Sequence, residues 1–150
     1  MRSPMFGLAL DDRELVACRI DGGQQLERIA LEPTVGGIPS GAGFGAAFGT
    51  LRASLEASGQ VEPGERVTVA VALLAPLVQV RVIELPPLPD AEAESVLRRD
   101  AARYFPGGSY RRVVAMAPRS GGDGEVRAVA ASALLLEALV EAAEASEFRV

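Results

Sequence analysis

The chain has 150 residues, enough for one ordinary domain or two small lobes burying roughly 70% of the unfolded surface. With 49% hydrophobic and 23% charged residues its composition is globular, and a net charge of -5 argues against a nucleic-acid binder, which would need a basic face. It contains no His, Trp or Lys, which excludes imidazole bases and ligands, Schiff-base chemistry and a phosphate-gripping lysine, and the single cysteine cannot staple the chain to itself.

In chain order, Met1-Arg2-Ser3-Pro4 lacks the apolar core of a signal peptide, and the apolar run Met5 to Leu10 is cut off by Asp11 and Asp12. A polar turn at Asp11, Asp12 and Arg13 leads to a second apolar segment, Leu15 to Ile20. Gly22-Gly23 then turns the chain towards Leu26, Ile29 and Leu31, so three consecutive antiparallel strands are predicted. Cys18 falls inside the second strand and is expected to be a small buried hydrophobe. The uncharged stretch from Pro33 to Leu51 is too rich in glycine and proline for a membrane helix. It reads as a loop, Gly-rich from Gly36 to Gly43, entering a helix with Phe44, Phe48, Leu51 and Leu55 on one face and Gly59 at its end.

Val67 to Val71 is β-branched and predicts a buried strand, and Val78 to Leu85 alternates polar with apolar residues, as suits a sheet with one wet face. Pro86, Pro87 and Pro89 end that strand. Asp90 is placed to cap a helix carrying Glu92 and Glu94 early and Arg98, Arg99 and Arg103 late, with Ala93, Val96, Leu97, Ala101 and Tyr104 as its apolar stripe, before Pro106-Gly107-Gly108 stops it. Strands from Tyr110 to Ala117 and Glu125 to Ala131 follow, joined by the hairpin Ser120 to Gly124. Ser132 caps a last helix with Leu135, Leu136, Leu139, Val140 and Ala143 on its apolar face, and Phe148 starts another strand.

Three local patterns invite a functional reading. Gly41-Ala42-Gly43-Phe44-Gly45-Ala46 matches GxGxxA, but Pro39-Ser40 precedes it where a dinucleotide fingerprint needs a strand. Asp11, Asp12 and Glu14 would offer a cation oxygen ligands, yet a hairpin turn favours Asp for its own hydrogen bonds and no EF-hand spacing follows. Glu92 and Glu94 read as helix N-terminal charge rather than a catalytic pair.

The stretch Val80-Arg81-Val82-Ile83-Glu84-Leu85-Pro86-Pro87-Leu88-Pro89, followed by an acidic-to-basic helix ending Arg103-Tyr104-Phe105-Pro106, resembles the PilM family of type IV pilus assembly proteins. It is also similar to that family's relatives, the cell-division protein FtsA and the cytoplasmic domain of the secretion protein GspL. Val129-Ala130-Ala131, leading into a helix ending Glu141-Ala142-Ala143-Glu144-Ala145-Ser146, resembles the family's next segment. The similarity spans nearly the whole chain and about the first half of a full family member.

The resemblance implies an α/β fold, a partial actin-like (ribonuclease H-like) lobe with an inserted strand-helix-strand-strand (SHS2-like) lobe. Residues 1–76 form the first lobe, 77–147 the inserted lobe with a C-terminal helix, and 148–150 the start of a truncated strand. In the family the first hairpin carries a phosphate-binding turn of Gly, Ser, Asp and Lys. Here Ala9 stands where the family has Asp and Asp11 where it has Gly. Asp12, Arg13 and Glu14 replace Ser, and Val16 replaces Lys. Carboxylates there repel phosphate by about 1 to 4 kcal/mol per contact at partly exposed spacing.

No enzyme activity and no cofactor or metal is therefore expected. The chain is expected to be a scaffold or adaptor of a type IV pilus or type II secretion platform, cytoplasmic and peripheral to the bacterial inner membrane. The implied partner is the cytoplasmic tail of a PilN-like or GspL/GspM-like membrane protein, bound as an extended peptide near Val80, Val82, Leu85, Val96 and Tyr104. Nucleic acid and a membrane span of its own are not expected. The alternative is an actin-like ATPase domain completed by a missing second half, and an open edge beside Phe148 would favour self-association.

Overall fold

The computed structural model describes residues 6–32, 39–107, 111–117 and 124–150. The start of the Gly-rich passage at Gly36, the strand start at Tyr110 and the hairpin residues Ser120 to Asp123 lie outside them. The chain divides into two compact units, one of Met1–Leu77 with Leu135–Val150, the other of Val78–Leu134.

The first unit is built on β1 (Phe6–Leu10), β2 (Glu14–Arg19), β3 (Gln25–Ala30), β4 (Val67–Leu73) and β8 (Phe148–Arg149), in the order β3-β2-β1-β4-β8. The first three strands are antiparallel neighbours, whereas β1–β4 and β4–β8 are parallel. A parallel pair needs a crossover, and α1 (Gly41–Ala57) supplies the one between β3 and β4. Alternation sends Phe6, Leu8 and Leu10 of β1 and Leu15 and Ala17 of β2 into one core. Phe44, Phe48, Leu51 and Leu55 of α1 fill that core, and the Phe48 and Phe148 rings meet in a tilted pair 5.7 Å apart.

α4 (Ala133–Ala145) buries Leu135, Leu139 and Ala143 in the same core. The expected second lobe, 77–147 with its C-terminal helix, is therefore drawn differently by the structure. Leu77 and the helix from Leu135 onward belong to the first unit, because the apolar stripe of α4 packs there and β8 pairs with β4.

The second unit holds β5 (Val78–Glu84), α2 (Asp90–Arg99), α3 (Ala101–Tyr104), β6 (Arg112–Met116) and β7 (Glu125–Ser132), a strand-helix-strand-strand order with sheet order β5-β7-β6. Both ladders are antiparallel. Its core gathers Ala93 and Leu97 of α2, Phe105, and Ile83, Val114, Val126, Ala128 and Ala130 of the sheet.

The one helix expected from Asp90 to Arg103 is interrupted at Asp100, whose carboxylate accepts two bonds from the Arg99 guanidinium at 3.0 Å. The chain enters α2 from an extended Pro89, so Asp90 lies in the first turn instead of at the cap position. Acid first and arginine last still follow the helix dipole, and Glu94 pairs with Arg98 at 2.7 Å.

One charged side chain is buried among the described residues. Arg52 of α1 is 7% exposed and has four acceptors. It donates to the carbonyls of Glu65 (2.6 Å) and Glu62 (2.8 Å) and reaches the carboxylates of Glu56 (2.6 Å) and Glu147 (3.3 Å). A buried guanidinium is tolerable only when so satisfied, and here it ties α1 to the loop before β4 and to Glu147 at the end of α4.

Arg52→Met takes a donor from the Glu65 carbonyl and leaves the Glu62 carbonyl with the Glu65 amide alone, and it is expected to lower unfolding free energy by about 2–4 kcal/mol. The urea midpoint should fall at unchanged slope, and an unmoved midpoint contradicts this role. In the second unit Leu85 donates its amide to the Gly124 carbonyl at 2.7 Å, and a Cβ on Gly124 would sit 2.5 Å from the Leu85 carbonyl oxygen. Gly124→Ala is expected to cost about 1–3 kcal/mol in the same assay, and a neutral result would show that the backbone yields.

Candidate functional site

In the turn between β1 and β2 the Asp11 carboxylate takes up the backbone donors. Asp11 Oδ1 accepts the amide of Arg13 at 2.7 Å and that of Glu14 at 2.8 Å, while the Asp11 amide donates to the Glu14 carbonyl at 3.2 Å. These two amides, Arg13 first, hold the Asp11 carboxyl below its ordinary range, with smaller help from the charges of Arg13 and Arg28. Glu14 is engaged by Arg28 at 3.0 Å, and Ala9 and Val16 face one another across the ladder. Neither Ala9 nor Val16 has a group that binds phosphate or metal.

The other candidates resolve into local structure. Gly41 to Ala46 is the opening of α1, and Ser40 Oγ accepts the Gly43 amide at 3.1 Å, the ordinary serine cap. Among the described residues no group of three or more His, Cys, Asp or Glu side chains converges to hold a metal. Cys18, expected to be buried, is half-buried on the sheet face opposite the core. It lies across from Gly7, donates its thiol to the Gly7 carbonyl at 3.5 Å, and borders a shallow depression of about 300 Å³ with Gly7, Ala9, Ala70 and Ala72. The strand's period of two explains the difference, since Leu15 and Ala17 take the core positions.

The five residues expected to bind a partner do not form one surface. Val80 and Val82 stand on the outer face of the three-stranded sheet, 58% and 62% exposed. Leu85 is buried in the core of the second unit, and Val96 and Tyr104 pack against that same core, where the Arg103 guanidinium lies 5.7 Å from the Tyr104 ring centroid. The cause is again strand alternation, together with α2 lying on the inner face only.

Two features escaped the sequence reading. Arg52 sits on the buried side of α1, four residues after Phe48 and four before Glu56, a spacing that marks a charge drawn into the apolar stripe. Val113 and Val129, 49% and 37% exposed, join Val80 and Val82 on the outer face. The register of Val80 opposite Val129 and Val113 opposite Ala131 is what brings them together, and no single strand reveals it.

No protein-family model matches the sequence, and no curated protein does either. Solved structures do match. A chain of the PilM-PilN type IV pilus biogenesis complex superposes with a TM-score of 0.68 at 23% identity, over 99% of this chain and 46% of that one. The cytoplasmic domain of EpsL, an inner-membrane component of the type II secretion system of Vibrio cholerae, superposes with a TM-score of 0.54 at 11% identity, over 98% of this chain and 56% of that one. The chain thus spans about half the length of each. With the β3-β2-β1-β4-β8 order and the strand-helix-strand-strand unit described above, the chain has a partial actin-like fold and is PilM-like by structure.

Proposed function

We propose that the chain is a non-catalytic binding platform of a type IV pilus or type II secretion assembly. It acts in the cytoplasm against the inner membrane and holds the cytoplasmic tail of a PilN-like or GspL/GspM-like membrane protein. The inserted unit is SHS2-like, and the tail docks on the side of its sheet that carries Val80 and Val82.

The observation that carries the non-catalytic reading is the Asp11 turn. A phosphate would need the Arg13 and Glu14 amides, and both already donate to a carboxylate that is ionised at neutral pH. An incoming triphosphate has to displace that carboxylate and then tolerate it nearby, with no lysine in the chain to offset the charge. The likeness in fold to the PilM-PilN complex and to cytoplasmic EpsL supports the assignment to a pilus or secretion platform. No helix among the described residues is long and apolar enough to cross a membrane.

Titration with a fluorescent ATP analogue and magnesium is expected to show no saturable binding up to about 1 mM, a limit near 4 kcal/mol of binding free energy. Micromolar binding contradicts the reading. Asp11 also predicts a pH signature. Its folded pKa is lowered, so its stabilisation is present above the unfolded value of about 3.9 and is lost as pH falls from there through the folded value. Asp11→Asn keeps the acceptor oxygen and removes the titration, so its stability should fall less steeply than wild type below about pH 4. Asp11→Ala should lose about 1 kcal/mol at neutral pH. Parallel acid limbs in wild type and Asp11→Asn would show that this carboxylate does not hold the turn.

A further inference from the structure

In a sheet with one covered face, a strand turns its apolar residues to the cover and its polar residues to water. The first half of β5 does the reverse, before Ile83 turns into the core and Glu84 to water. Gln79 and Arg81 stand across from Ala130 and Ala128, the β7 residues buried in the core beneath α2. Val80 and Val82 stand across from Val129 and Arg127 on the face that has no cover. Val113 of β6 completes a patch of four exposed valines spread over three strands. Scattered single exposed valines need no explanation, but four gathered on one uncovered sheet face mark a contact surface.

The inner face of the same sheet shows what covers such a surface. There Val114, Val126, Ala128 and Ala130 receive an amphipathic helix, α2, through Ala93 and Leu97. The outer face repeats that small, branched composition. At one end of it Glu84 and Glu125 stand directly opposite each other, and neither forms an ion pair with another described residue. With Arg127 beside them the three leave one net negative charge, on a chain that carries -5 overall. Like charges directly across a ladder repel, so a cation placed over this end relieves the pair.

We propose that this valine face docks an amphipathic helix of a partner protein, whose apolar stripe lies on Val80, Val82, Val113 and Val129 and whose lysine or arginine lies over Glu84 and Glu125. The proposal rests on the binding-platform reading and specifies the partner's chemistry at that surface. β5 runs about 23 Å at 3.3 Å per residue, the length of a helix of about 15 residues. Cytoplasmic segments flanking a membrane span are rich in lysine and arginine, which supplies the complementary charge. A second copy of the chain fits less well. It would set one net-negative face against another, with a single Arg127 per copy to answer two carboxylates on each. An anionic lipid surface is disfavoured by the same carboxylates.

The test is selection from a displayed library of random peptides about 16 residues long against the whole chain. Binding of the enriched peptides is then compared among wild type, Val80→Ser/Val82→Ser and Glu84→Lys/Glu125→Lys, all at exposed positions and each checked for native circular dichroism. Expected are peptides with apolar residues at i, i+3, i+4 and i+7 and at least one basic residue. They should become helical when bound, weaken about tenfold or more on the serine variant, and weaken severalfold on the lysine variant with a steep salt dependence.

Enriched peptides that alternate like strands, that lack basic residues, or that bind both variants as well as wild type overturn the helix proposal while leaving a protein-binding platform standing. A library that enriches nothing also overturns it. A wild-type dimer in light scattering that the serine variant abolishes assigns the face to a second copy instead. Magnesium-dependent ATP binding by the same chain is the separate result that removes the platform reading itself.

Discussion

One carboxylate sets the first hairpin and the chemistry open to it. By accepting the amides of Arg13 and Glu14, Asp11 closes the turn so that Leu10 pairs with Leu15 and Leu8 with Ala17. A slip of one residue would carry that apolar set to the other face of the sheet and away from Phe44 and Phe48. β1 is the central strand, with β2 on one side and β4 on the other, so its register propagates to both. On the proposed reading, the same two hydrogen bonds take up the donors that a phosphate would use. In the platform reading, the chain keeps the actin-like hairpin as architecture and gives up its chemistry through exchanges at Ala9, Asp11 to Glu14 and Val16.

The buried Arg52 plays a comparable part on the other side of the first core. Its four acceptors come from α1 itself, from the loop before β4 and from Glu147, which holds a left-handed backbone at φ 63° just before β8. Val67 donates its amide to the Glu147 carbonyl at 3.1 Å, so this corner lies where β4 and β8 begin to pair. A protein-binding platform needs such rigidity, because a surface made of strand faces and edges is only as well defined as the registers beneath it.

Most of the fold was legible because its signals are local and periodic. The meander from Phe6 to Ala30, the helix with Phe44, Phe48, Leu51 and Leu55, and the strand at Val67 each follow from alternation or helical spacing bounded by Gly, Pro or Asp. The order of the five strands was not legible, since parallel pairing of β1 with β4 is a non-local fact. The unit to which α4 belongs was misread for a related reason. Its apolar stripe shows that one face is buried, but nothing within the helix says whether Leu135 and Leu139 meet Phe48's core or Leu97's. The break at Asp100 was hidden because Val96, Leu97, Ala101 and Tyr104 keep helical spacing across it.

The candidate surface was half legible. Alternation in Val78 to Glu84 was visible, but alternation does not say which set of residues points to the core, and Gln79 and Arg81 share with the buried Ile83 the side on which α2 lies. Leu85, Val96 and Tyr104 were consequently grouped with Val80 and Val82 across the thickness of a sheet. The Asp11 turn, by contrast, was readable as a departure from the family's pattern, and the structure adds where its carboxylate goes. The most direct measurement is to follow the backbone amide resonances of Arg13 and Glu14 by nuclear magnetic resonance while magnesium and ATP are added. Resonances that stay in place are expected if both amides remain bound to Asp11, and saturable movement of this pair would contradict a turn closed to phosphate.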